Sequence, residues 1–163
     1  YPSDRRGFCP ADMTLDRMTL LFFDASCLIA AAGSPTGGSG FLLSLCGKGY
    51  LRAVVSTYVL IEAARNIQTN MKAGAWVNYQ TLLLSVPFVI APVPAPLPSL
   101  PPVNAKDIHV VAAAAASKVA YLLTLDRGLL AEANRAGLAF PTVTPGDFIK
   151  TLLPTHVEYP MLL

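Results

Sequence analysis

Charge is scarce in this chain. Asp, Glu, Lys and Arg make up 13% of its 163 residues, about half the usual share of roughly 25%. A net charge of +2 is too mild to demonstrate nucleic-acid binding by itself. Cysteine is also sparse. Cys9, Cys27 and Cys46 are an odd number without metal-ligand spacing, which argues against a disulfide framework and favours a reducing cytoplasm. The two histidines, His109 and His156, sit at no ligand spacing, so zinc is not expected. Long apolar runs are missing as well. Asp24 interrupts the run 20–32 and Lys118 the run 110–125, so neither reaches the ~18–20 residues of a membrane span. Asp4, Arg5, Arg6, Asp12, Asp16 and Arg17 break up the start of the chain, so no signal peptide is expected there. No internal repeat is visible.

Hydrophobic residues are abundant, at 53%. A single domain of this length buries about two-thirds of its unfolded surface, and a homodimer or protein partner would cover apolar area left over. Residues 1–18 read as a flexible leader with Met13 and Met18 as candidate starts, 19–153 as the folded domain, and 154–163 as a tail. Short apolar runs at 19–23, 53–55, 88–91, 121–125 and 139–143 predict strands, several of them buried on both faces. Helices are expected from residue 25 to 32, 41 to 47, about 57 to 70, 76 to 84, 105 to 117, 129 to 136, and 145 to about 153. Ser56 or Thr57, Asn104 and Thr144 are candidate caps. The stretch 33–40 (GSPTGGSG) reads as a loop and 92–102 (PVPAPLPSLPP) as a stiff connector. Strands alternating with helices imply an α/β fold: a parallel sheet of about five strands flanked by helices.

Against this apolar background four acids stand out. Asp24 ends Leu-Leu-Phe-Phe, and Asp126 ends Tyr-Leu-Leu-Thr-Leu. Glu62 lies in the helix after the second strand, and Asp107 opens an alanine-rich helix. Ligands of open α/β sheets bind beyond the carboxyl ends of the strands, and all four acids are expected to converge there. A carboxylate beside a buried segment loses hydration at a cost of several kcal/mol unless a partner replaces the water. The strands that end at Asp24 and Asp126 contain no Lys or Arg. Shared coordination of a hard cation, Mg²⁺ or Mn²⁺, answers both the desolvation and the mutual repulsion, and such sites hydrolyse phosphodiesters. Each acid also has a plainer reading. Asp24, Asp107 and Asp126 can cap helices, and Glu62 can pair with Arg65 for about 0.2–0.5 kcal/mol. Arg65, Lys106 and Arg127 can guide an RNA backbone or serve as solvated ion-pair partners.

The ordered set Leu-Phe-Phe-Asp24-Ala-Ser26, Glu62 in a helix after a strand, Lys106-Asp107-Ile-His, and Leu-Thr124-Leu-Asp126-Arg127-Gly128-Leu-Leu resembles a PIN domain, most of all the VapC-type toxin ribonucleases. The resemblance spans about 19–153. It implies a Rossmann-like sheet and an acidic Mg²⁺ or Mn²⁺ site that cuts RNA. It further implies Asp24, Asp107 and Asp126 as metal ligands, Glu62 in support, and hydroxyls at Ser26 and Thr124. A toxin of this kind would act in the cytoplasm, form a homodimer and be inhibited by a cognate antitoxin. Many relatives carry a further acid where this chain has Gly128. Two rivals follow from the same residues: a receiver-like phospho-acceptor domain, and a PIN scaffold that binds RNA or protein without cutting. A receiver would pair adjacent acids after its first strand and place a lysine after a late strand; neither is present.

Overall fold

A computed structural model describes residues 14–163. Five strands form one parallel sheet: β1 (Leu20–Phe23), β2 (Arg52–Val55), β3 (Val89–Ile90), β4 (Tyr121–Leu123) and β5 (Thr142–Val143), in the order β3-β2-β1-β4-β5. Between them lie α1 (Ala25–Gly33), α2 (Gly38–Gly47), α3 (Thr57–Asn70), α4 (Ala73–Ser85), α5 (Ile108–Ala116) and α6 (Arg127–Arg135). A last helical stretch opens with α7 (Pro145–Asp147) and continues through a π turn, Phe148–Leu152. The arrangement is α/β and Rossmann-like.

The strand order places the functional edge. The chain builds outward from β1 to β3, then crosses back so that β4 lies against the other side of β1. Registers Phe22↔Val54 and Phe23↔Leu123 level the carboxyl ends of the central strands. A parallel sheet binds ligands where its winding reverses, here between β1 and β4. Leu21, Phe22 and Phe23 are buried, as a strand covered on both faces requires. The alanines of α5 have short side chains that let this helix approach the sheet closely, and it packs over β2.

Several boundaries differ from expectation. Helix α2 begins inside the supposed loop 33–40. Gly40 makes this possible, because a Cβ there would meet the Pro35 carbonyl oxygen at 2.1 Å. Helix α4 starts three residues earlier than residue 76. The first turn at Ala105–Asp107 is 3-10, with α5 proper beginning at Ile108. Strand β4 stops at Leu123; the Thr124 amide still donates to the Val143 carbonyl, and after it the Leu125 N–H donates to Ser26 Oγ and the Asp126 N–H to Thr124 Oγ1. Strand β5 is only two residues long.

The boundaries expected at residues 18 and 153 do not mark the edge of the packed body. Leu15 is buried in the core, and its carbonyl accepts the Val157 amide at 2.9 Å. His156 and Leu162 are also buried. Residues 1–13, with most of the expected leader and Cys9, lie outside the described residues. Cys27 and Cys46 are free thiols deep in the core, where burial pushes Cys46 up to about 12 and Cys27 still higher. Among the described residues no single helix is long and apolar enough to cross a membrane.

Candidate functional site

Asp24 follows β1, and its amide donates to the Leu123 carbonyl of β4 at 3.0 Å. It stands at the N-cap position of α1, yet its side chain caps nothing. Instead Oδ2 accepts two hydroxyl protons, from Ser26 Oγ and from Thr124 Oγ1, each at 2.8 Å. Each hydroxyl has one proton and two lone pairs, so with both protons on Asp24 their lone pairs take the amides of Leu125 and Asp126 at 3.0 Å. The side chain of Asp24 is thereby fixed, and it is only 7% exposed. Its Oδ1 accepts no hydrogen bond among the described residues. Ser26 and Thr124 are thus the two residues that hold the central carboxylate.

Asp126 has a divided role. Its Oδ1 accepts the amides of Gly128 (2.9 Å) and Leu129 (3.1 Å) and so caps α6, while Oδ2 has no such partner. The turn is tight, and a Cβ at Gly128 would stand 3.2 Å from Asp126 Oδ1. Asp107 makes no capping bond. That work falls to Asn104, whose Oδ1 accepts the Lys106 amide at 3.1 Å. The Asn104 amide in turn donates to Glu132 Oε1 at 2.9 Å. Glu132 therefore ties the turn that carries Asp107 to the helix that Asp126 caps. Its partner is a main-chain amide 28 positions away, which no local pattern encodes. Glu62 sits in the second turn of α3, and the Tyr79 hydroxyl of α4 steadies that helix by donating to the Leu60 carbonyl at 2.8 Å.

The four acids share one field. Partial burial pushes the Glu62 carboxyl up, and the charges of Asp24 and Asp107 push it further, against the opposing pull of His109 and Lys106. Asp107 is likewise raised, first by burial and then by Asp126, Asp24 and Glu132, with Lys106 opposing. None of these acids is in an ion pair among the described residues. Among the described residues the one salt bridge is Arg17–Glu158, elsewhere in the molecule. The pairing of Glu62 with Arg65 considered from sequence is therefore absent, and Arg65, Lys106 and Arg127 are exposed. Arg65 and Glu62 instead line a groove of about 600 Å³ together with Tyr58, Asn66 and His109.

The donors are carboxylate oxygens, which suit hard cations. Among the described residues, however, no three Asp, Glu, His or Cys side chains stand close enough to form a ready-made cage. Mg²⁺ does not need one, because it keeps several waters and commonly takes one or two carboxylates directly. Asp24 Oδ1 and Asp126 Oδ2 accept no hydrogen bond among the described residues, and the two acids follow the adjoining strands β1 and β4. The residues fit a hydrated divalent ion in kind and charge.

The chain matches no protein-family model, and a search of curated proteins finds no match either.

Proposed function

We propose that this protein is a metal-dependent endoribonuclease of the PIN-domain kind, the toxin of a type II toxin–antitoxin pair. The observation that carries the reading is a group of carboxylates without ion-pair partners among the described residues, two of which, Glu62 and Asp107, are raised by burial and by neighbouring acids, at the point where the parallel sheet reverses its winding. Such an arrangement costs stability and is retained where it serves a ligand. A bound Mg²⁺ or Mn²⁺ supplies an acidified water and neutralises charge on the phosphate. Asp24 and Asp126 would hold it, with Asp107 and Glu62 in support. Ser26 and Thr124 keep the Asp24 carboxylate in one orientation. Arg65, Lys106 and Arg127 attract the RNA backbone from around the acids.

The strand order also favours this reading over the receiver-like rival. Receivers follow the order 2-1-3-4-5, whereas this sheet runs 3-2-1-4-5. The partner side of the proposal, a homodimer and an antitoxin, is supported by apolar side chains left in solvent on α4, notably Val77 and Leu84. Light scattering of the purified protein, alone and with the candidate antitoxin, tests it.

The decisive variant is Asp126→Asn. Asparagine retains an Oδ1 to accept the Gly128 and Leu129 amides, so α6 stays capped while the charge is lost. The variant should melt like the wild type and cleave single-stranded RNA with Mn²⁺ at least about 100-fold more slowly, about 2.7 kcal/mol of barrier. Undiminished cleavage by Asp126→Asn removes the acids from the chemistry.

A further inference from the structure

Two grooves meet at one pair of rings beside the acid edge. The first is the groove of about 600 Å³ that contains Glu62 and Arg65. The second, of about 360 Å³, is bounded by Val93, Pro94, Ala95, Pro96 and Leu97 of the connector. Tyr58 and His109 line both. Their rings pack edge to face, with centroids 5.7 Å apart and planes at 61°. Tyr58 nevertheless remains 59% exposed.

The position of Tyr58 matters more than its exposure. It stands one helical turn before Glu62 on the same face of α3. That face continues through Arg65, Asn66, Thr69 and Asn70, all of which line the first groove. From Tyr58 to Asn70 it extends about 18 Å at 1.5 Å per residue. An aromatic ring, a carboxylate, an arginine and two amides thus lie in sequence along one helical wall.

His109 supplies a second, independent sign. Its Nδ1 is buried without a hydrogen-bond partner. An orphaned N–H is rarer in folded proteins than an unfilled acceptor, so the burial of Nδ1 favours the tautomer with its N–H on Nε2. Nε2 makes no hydrogen bond among the described residues and is not buried. The ring therefore has an N–H to offer a ligand in the pocket it shares with Tyr58.

We infer that this pocket seats one unpaired nucleobase of the RNA chain, stacked on Tyr58, hydrogen-bonded by His109 Nε2–H and walled by residues 93–97. The inference rests on the nuclease reading and adds to it the residues that grip the substrate next to the cut. Every base has a flat π face that an exposed aromatic ring can stack on. A polynucleotide also brings phosphates within reach of Arg65 as it follows the α3 wall toward Glu62. The proline-rich connector then has a role: rigid rings close one side of the pocket without the entropy cost of ordering a flexible loop.

The test is binding of a fluorescein-labelled single-stranded RNA, followed by anisotropy with EDTA present to stop cleavage. Tyr58→Phe should bind as the wild type does. Tyr58→Ala should bind about tenfold more weakly, in the range usual for one base–aromatic stack, with an unchanged melting temperature. An RNA with a single abasic nucleotide at the contacted position should bind wild type and Tyr58→Ala equally. His109→Phe should lose affinity while its melting temperature holds or rises, because the variant has no unpartnered nitrogen to bury. No RNA binding, or equal binding by Tyr58→Ala and wild type on intact RNA, overturns the pocket and leaves it to a protein partner. If the wild type still cleaves RNA with Mn²⁺, the nuclease reading survives that result. Tyr58-dependent binding without metal-dependent cleavage keeps the pocket and sinks the nuclease.

Discussion

The two edges of the sheet treat charge in opposite ways. At the amino edge, just before β1 and β2, Arg17 makes two hydrogen bonds to Glu158 at 2.7 and 2.9 Å and lies 4.5 Å over the Tyr50 ring. The nearby His156 is fully engaged, with Nε2 2.7 Å from the Tyr50 carbonyl and Nδ1 accepting the Glu158 amide at 3.0 Å. Here the segments around Arg17 and Glu158 are clasped together by an ion pair. At the carboxyl edge, Asp24, Glu62, Asp107 and Asp126 have no ion-pair partner among the described residues. Paired charge fastens the fold; unpaired charge of one sign, held in place by hydroxyls and amides, is poised for something from outside.

The largest effect should follow from removing the central charge. Asp24→Asn should lower Mn²⁺-dependent RNA cleavage by at least about 100-fold, about 2.7 kcal/mol. In the absence of metal it should also stabilise the protein, by about 1 kcal/mol, since a buried charge without a counter-ion is a liability. Denaturant unfolding with EDTA checks the second part. A destabilised Asp24→Asn would place Asp24 with the structural charges of the amino edge and erase the contrast.

Thr124→Val should destabilise by about 2–3 kcal/mol, because it deprives Asp24 Oδ2 of one donor and leaves the Asp126 amide without an acceptor. Thermal or urea unfolding measures this directly. The same substitution at an exposed threonine such as Thr69 should cost far less.

The edges should also respond oppositely to pH. Glu62 and Asp107 have raised carboxyls, so the native state binds more protons than the unfolded one between their ordinary and raised values. Their contribution to stability is intact below the ordinary carboxylate range and is lost as pH climbs through the raised values. Glu158 is lowered by its hydrogen bond to Arg17. Its contribution is present above the ordinary range and lost as pH falls through the lowered value. Mn²⁺ should reverse the loss at the acid edge, adding about 2.7 kcal/mol when supplied at about 100 times its dissociation constant, and should leave the clasp unaffected. Melting curves across pH, with and without metal, separate the two. The smallest effect belongs to Glu158→Gln: a slight drop in melting temperature that high salt abolishes, with RNA cleavage unchanged.

Much of the framework was legible because it rests on local signals. The Leu-Leu-Phe-Phe run made β1, Ser56 caps α3 by accepting the Val59 amide at 3.2 Å, and Thr144 with Pro145 opens α7 as expected. Where the reading slipped, a tertiary contact had overruled composition. Gly40 looked like loop material, but it lets α2 press against the backbone at Pro35. Residues 14–18 looked loose because the partners of Leu15 and Arg17 are more than 140 positions away, at Val157 and Glu158. At the candidate site, the motifs named Asp24 together with the two hydroxyls, Ser26 and Thr124, that the structure sets on it. Glu132 and Tyr58 could not be named in advance, since an exposed Glu and an exposed Tyr acquire meaning only from what lies across the groove.

The sequence alone determined the alternation of strands and helices, and it put a carboxylate at the end of β1 and another after β4. Apolar periodicity and capping act over a few residues, so a linear reading recovers them. Only the tertiary structure decided that β1 and β4 are neighbours, that Ser26 and Thr124 both donate to Asp24, and that Asp126 spends one oxygen on capping and keeps the other. Those facts depend on the order in which strands pair and on where hydroxyl protons point, and both are settled by packing across about 100 residues of intervening chain.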